Sequence, residues 1–99
     1  DALSIPLEAL QRREGQTVVY RMKAGLDEKA IDKARQNLEG RSKFVWLSEN
    51  WQDYFEAVPV DAGIATLERV EVMTGLAAGD QVALEDVSRK KVEKDDEDN

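Results

Sequence analysis

Three spacings of apolar side chains run along the chain. In Thr17–Met22, TVVYRM, β-branched and aromatic residues follow one another, which is strand content. Leu26, Ala30, Ile31, Ala34 and Leu38 recur at intervals of four, one, three and four, one face of an α-helix. Val70 and Val72 flank Glu71, the period-two pattern of a half-buried strand.

The residues between these anchors predict the remaining elements. Pro6 favours extended backbone at Ser4–Ile5, and Arg12–Gln16 form a charged turn in which Gly15 is free to take positive φ. The helix is predicted over Glu28–Glu39, with Asp27 as N-cap, Glu28 in the first turn where the dipole favours an anion, and Gly40 as its stop. Lys29, Asp32, Lys33 and Arg35 would be its wet face. Lys43–Leu47, KFVWL, is aromatic and β-branched and predicts a strand; SENWQ then turns, with Ser48 able to bond nearby backbone. Tyr54–Val60 returns as a second strand whose Pro59 implies an edge or a bulge. Asp61–Gly63 turns again, a longer strand runs from Ala65 to Met73, and Gln81–Leu84 pairs back onto it. Ser88–Asn99 has one large apolar residue, Val92, and is expected to be mobile. The elements describe a mostly β, α+β chain.

Composition narrows the chemistry. At 99 residues the chain suits one domain, able to bury roughly two-thirds of its unfolded surface. It has no Cys, hence no disulfide, thiol nucleophile or thiolate metal site. It has no His, so the usual general base near neutral pH and the commonest metal ligand are both missing. A net charge of −7 argues against nucleic acid, whose phosphates need clustered Lys and Arg. No apolar run approaches the about 20 residues that cross a bilayer. The opening on Asp1 instead of Met suggests a longer parent, in which a targeting or anchoring segment would lie. The acidic end, Asp95–Asp98, lacks the spaced oxygens and the bend-forming Gly of a calcium loop.

TGLAAGDQV, Thr74–Val82, raises a sharper question. A phosphate loop of the Walker type needs Lys and then Ser or Thr after its last Gly, but Asp80 and Gln81 stand there and Asp80 would repel an anion. A dinucleotide fingerprint needs three glycines opening a helix. A turn needs only what is present: Gly75 lets the chain leave a strand, Leu76 tucks into the core, and Gly79 supplies positive φ in a tight AAGD reversal ending on Asp80.

The same segment resembles the C-terminal signature of periplasmic adaptor proteins, also called membrane fusion proteins or HlyD-like secretion proteins. That signature is V-E-I/V, two residues, GL, two residues, GD, one residue and Val; Val70, Glu71, Val72, Gly75, Leu76, Gly79, Asp80 and Val82 match it. Ile5–Leu10, IPLEAL, is similar to the family's VP..A entry, Gly15 and Val18–Tyr20 to its Gly and apolar strand, and Val58–Gly63 to its V..G strand and turn. The resemblance covers residues 4–22 and 55–87. The family pattern runs from VY to V..G within about a dozen residues, whereas here Lys23–Tyr54 intervenes.

The resemblance implies a membrane-proximal domain over residues 1–87, a small antiparallel β-barrel or sandwich-like domain into which the one α-helix read above is inserted; the charged stretch 88–99 is expected from its composition to be a disordered tail. It implies periplasmic localisation, with the full-length protein anchored to the inner membrane, and a non-catalytic role without cofactor or metal in tripartite efflux or type I secretion. The implied partners are an inner-membrane transporter (RND, ABC or other) and neighbouring adaptor protomers. An outer-membrane channel would be reached through domains absent from this chain. Without the strand that an N-terminal arm usually donates, a sheet edge is expected to lie unpaired, a site for self-association. Candidate docking positions are the inserted helix face and Trp46, Trp51 and Tyr54, since aromatics anchor interfaces; the competing reading is that both Trp residues pack the insert onto the sheet. Two other classes remain open. A glycosidase-like carboxylate pair can be drawn from Glu49, Asp53 and Glu56, and a free-standing β-rich module binding protein or carbohydrate would carry the GL..GD turn by chance.

Overall fold

Strand β3, Gln16–Met22, lies at the centre of the molecule because both of its faces are covered. Val18 and Tyr20 point to one side and Val19 to the other, and all three are buried. The computed structural model describes residues 3–89. The remaining strands are β1 (Leu3–Pro6), β2 (Gln11–Arg13), β4 (Phe55–Pro59), β5 (Asp61–Ala65) and β6 (Arg69–Thr74), and the helices are α1 (Glu28–Arg35) and α2 (Arg41–Asn50). They form two three-stranded antiparallel sheets, ordered β1-β6-β5 and β2-β3-β4, which are not closed into a barrel.

A first core lies between the sheets, where Ile5, Val70 and Val72 of one meet Val19 and Val58 of the other, joined by Ala9 and Val60. A second core lies on the opposite face of β3 and β4. There Val18, Tyr20 and Phe55 meet Ile31 of α1, with Trp46 and Leu47 of α2, Trp51 and Val87. The order is therefore sheet, sheet, helices. β3 carries consecutive apolar residues because, as in strands buried on both faces, neither side has to be polar.

Local chemistry explains some of the element ends. Glu14 (φ 53°) and Gly15 (φ 82°) form the two-residue link between β2 and β3, which pair Arg13 with Gln16; positive φ at both positions matches the right-handed strand twist. Asp27 caps α1, its carboxylate accepting from the N–H of Lys29 (2.9 Å) and Ala30 (3.3 Å).

Several expectations are overturned. α1 stops at Arg35 and not Glu39, because the N–H of Leu38 bonds the carbonyl of Arg35 and tightens the chain into a turn. Gly40 does not end a helix but starts one, at φ 62° before α2. KFVWL is no strand; it lies within α2, so the insert holds two helices instead of a helix and a strand. Strand propensity gives way to tertiary packing there, since a helix brings Trp46 and Leu47 together onto the second core. SENWQ is likewise helical, ending in a 3-10 turn at Trp51–Asp53.

Asp61–Gly63 does not turn but opens β5. Gly63 is not at positive φ; it is close-packed instead, a Cβ there falling 2.8 Å from Glu71 Oε1 and 3.0 Å from Met73 Sδ. The long strand from Ala65 is interrupted because the Thr66 hydroxyl accepts from the N–H of Glu68 and of Arg69, closing a turn before β6. Of the charged tail, Ser88 and Arg89 are in place, and residues 90–99, including Val92 and Asp95–Asp98, lie outside the described residues. Among the described residues no helix is long and apolar enough to cross a membrane.

Candidate functional site

The segment after β6 is a strap from one sheet to the other. At Gly75 the chain leaves β6 at φ 111° and passes so close to the end of β4 that a Cβ would sit 2.6 Å from the Pro59 carbonyl oxygen and 2.9 Å from Val60 Cγ1. Leu76 packs on the first core. Ala77–Asp80 then reverses the chain, with the Asp80 N–H bonding the Ala77 carbonyl (3.1 Å) and Gly79 at φ 92°. The Asp80 carboxylate accepts from the Ala77 N–H (2.8 Å) and lies 3.5 Å from the Arg21 guanidinium.

The expected hairpin with β6 does not form. Gln81–Leu84 joins β3 instead, with the Met22 N–H bonding the Gln81 carbonyl (2.8 Å), the Ala83 N–H bonding the Tyr20 carbonyl (2.9 Å) and Val82 opposite Arg21. The crossing is forced at Gly75, where close contact with Pro59 and Val60 directs the chain over the junction of the two sheets. Seven of the eight matching positions thus have a mechanical task. Val70 and Val72 fill the first core, Gly75 allows the crossing, Leu76 seals it, Gly79 and Asp80 bend it, and Val82 anchors it to β3.

The aromatic residues occupy the far side of the second core. Trp51 meets Tyr20 edge to face (5.2 Å between centroids), and Trp46 meets Tyr54 at 5.5 Å. All three candidate docking residues, Trp46, Trp51 and Tyr54, are half-buried against the core, so they fasten the insert to the sheet and leave part of each ring at the surface. The Arg13 guanidinium lies over the Trp51 ring at 5.1 Å, a cation–π contact that no local sequence pattern announces because 38 positions separate the pair. Beside them is an open hollow of about 490 Å³ lined by Arg13, Lys23, Trp51 and Glu56.

The carboxylates drawn together for a hydrolase do not share a cleft. Glu49, Asp53 and Glu56 are exposed, and Glu56 lies 3.4 Å from Arg21. Among the described residues no three Asp or Glu are grouped to hold a metal. Arg35 departs from the expected wet face: Lys29, Asp32 and Lys33 are exposed, whereas Arg35 turns into a cleft of about 610 Å³ beside Ile31, Phe55 and Val87, with its Nε buried and unbonded. A second polar chain went unseen in the sequence: Asp86 accepts from the Ser88 hydroxyl (2.6 Å), which in turn meets the Tyr20 hydroxyl (3.2 Å). Tyr20 and Ser88 are 68 positions apart.

Neither a scan of protein-family models nor searches of curated proteins and of solved structures finds a match to this chain.

Proposed function

We propose that this chain is a non-catalytic adaptor domain, the membrane-proximal part of a periplasmic adaptor in tripartite efflux or type I secretion, which rests on an inner-membrane transporter and supports export. The observation that carries the reading is the strap: the residues resembling the adaptor signature form one continuous device joining two sheets, not scattered matches in unrelated loops. In such a domain the work is mechanical. A stiff layered body transmits position, and the exposed surface of the insert, held down by Trp46, Trp51 and Tyr54, offers the contact to a partner.

The test uses the full-length protein in its native envelope. Photo-reactive residues replace exposed Lys33 of α1 or exposed Gln52 beside Trp51. Illumination is expected to trap a polytopic inner-membrane transport protein, and the charge reversals Lys29→Glu and Lys33→Glu are expected to lower both trapping and export without unfolding the domain. Cross-links confined to soluble proteins, or export unchanged by the reversals while trapping persists only elsewhere on the protein, would end the reading of this face. Deletion of Leu26–Gln52 is a poor substitute, because it removes Ile31, Trp46, Leu47 and Trp51 from the second core.

A further inference from the structure

β5 stands apart from the rest of the fold. Its five residues, Asp61–Ala65, are all exposed, and it pairs with β6 on one side while no described strand lies on the other. Of the large apolar side chains most open to solvent, three belong to this one hairpin: Ile64 (75%), Leu67 (95%) and Met73 (59%). Val70 and Val72 of β6 are buried, yet Ala62 and Ala65 opposite them are not, so the first core ends beneath β6 and β5 overhangs it. An open edge with apolar side chains around it is a template for another strand. Of the devices that blunt such edges, β5 has only the register shifts between Asp61 and Ala65; it carries no Lys, no Pro and no charge after Asp61.

We propose that β5 binds β5 of a second copy of this chain, antiparallel about a two-fold axis, making one continuous six-stranded sheet. This stands on the hairpin itself and not on the adaptor reading. Two arguments select a second copy. The first is charge. The chain carries −7, so two copies repel one another and do so least when they meet through a neutral segment; residues 62–67, AGIATL, have no charged side chain. Centring the axis on Gly63 sets Ala62 opposite Ile64 and Asp61 opposite Ala65, so no like charges face each other. The second is area. Ile64, Leu67 and Met73 leave on the order of 300 Å² of apolar surface open per copy, of which edge pairing covers a part, so the contact falls below the about 1,200 Å² at which stable specific interfaces begin. A weak, concentration-dependent dimer is the expected product.

Sedimentation velocity over a wide concentration range tests it, with wild type beside the double variant Ile64→Lys/Leu67→Lys. Both sites are exposed, so circular dichroism should be unchanged. The variant lowers the net charge from −7 to −5, so general repulsion alone would make it associate more tightly. Edge pairing instead requires at least about tenfold weaker association, through loss of apolar contact and the like charges then brought together. Because the chain has no Cys, register can be read independently. Oxidation of Ala62→Cys chains mixed with Ile64→Cys chains is expected to give a mixed disulfide faster than either variant alone. A wild type that stays monomeric at millimolar concentration, a Lys variant that associates as well as wild type, or disulfides formed without preference for the 62–64 pair each overturns the proposal.

Discussion

Replacing Gly75 by Ala measures how tightly the strap binds the two sheets together. Two costs are superposed at this position. An L-residue at φ 111° is strained by about 1–2 kcal/mol. Its Cβ also meets the Pro59 carbonyl oxygen at 2.6 Å and Val60 Cγ1 at 2.9 Å, and because the first is backbone, no rotamer change relieves it. Overpacking of this kind adds about 1–3 kcal/mol. A smaller unfolded-state gain, about 0.4–1 kcal/mol for Gly to Ala, offsets part of the sum. The net expectation is a loss of about 3 kcal/mol, a large share of the about 5–15 kcal/mol that holds a domain folded.

Gly79 provides the control. It sits at φ 92° in the same strap, but a Cβ there meets nothing within 4 Å. Gly79→Ala therefore keeps the torsional cost and drops the contact, for a net loss of about 1 kcal/mol. Urea titrations of both variants should differ by about 2 kcal/mol at equal m-values, and their melting temperatures by roughly 10 °C for a chain of this size. Equal losses for the two variants would refute the claim that the chain is wedged against β4 at Gly75.

Substitutions at two further positions address a turn and a helix end. Asp80→Ala removes the acceptor for the Ala77 N–H (2.8 Å) and the partner of Arg21 (3.5 Å); about 1 kcal/mol should be lost, mostly from the hydrogen bond, because the ion pair is partly exposed and weak. Asp80→Asn, which keeps an acceptor, should recover more than half of that, and a failure to recover would assign the effect to the ion pair. Asp27→Ala removes both bonds that cap α1 and should cost about 1 kcal/mol with a fall in helical ellipticity, while Asp27→Ser should be close to neutral; no helix loss in the Ala variant would show that packing of Ile31 alone holds α1.

The sequence determined what is decided within a few residues. β3 was legible because its run of β-branched and aromatic residues suits a strand wherever it is placed, and the start of α1 because Asp27 caps it locally. The turn at Gly79 was legible for the same reason: few residues other than glycine take φ 92° readily. Tertiary structure decided the rest. KFVWL has strand content, yet it is a helix because Trp46 and Leu47 must both reach a core made by β3 and β4, which the local sequence does not contain. Gln81–Leu84 was expected on the nearest strand and lies on β3 instead, since the contact of Gly75 with Pro59 and Val60, about fifteen positions earlier, sets the direction of the chain. Arg13 finds Trp51, and Tyr20 finds Ser88, only once two sheets and two helices have been stacked. Torsional preference and capping act over one turn of chain and are written where they act. Destination and partnership depend on excluded volume and burial among segments far apart in sequence, and these exist only in the folded molecule.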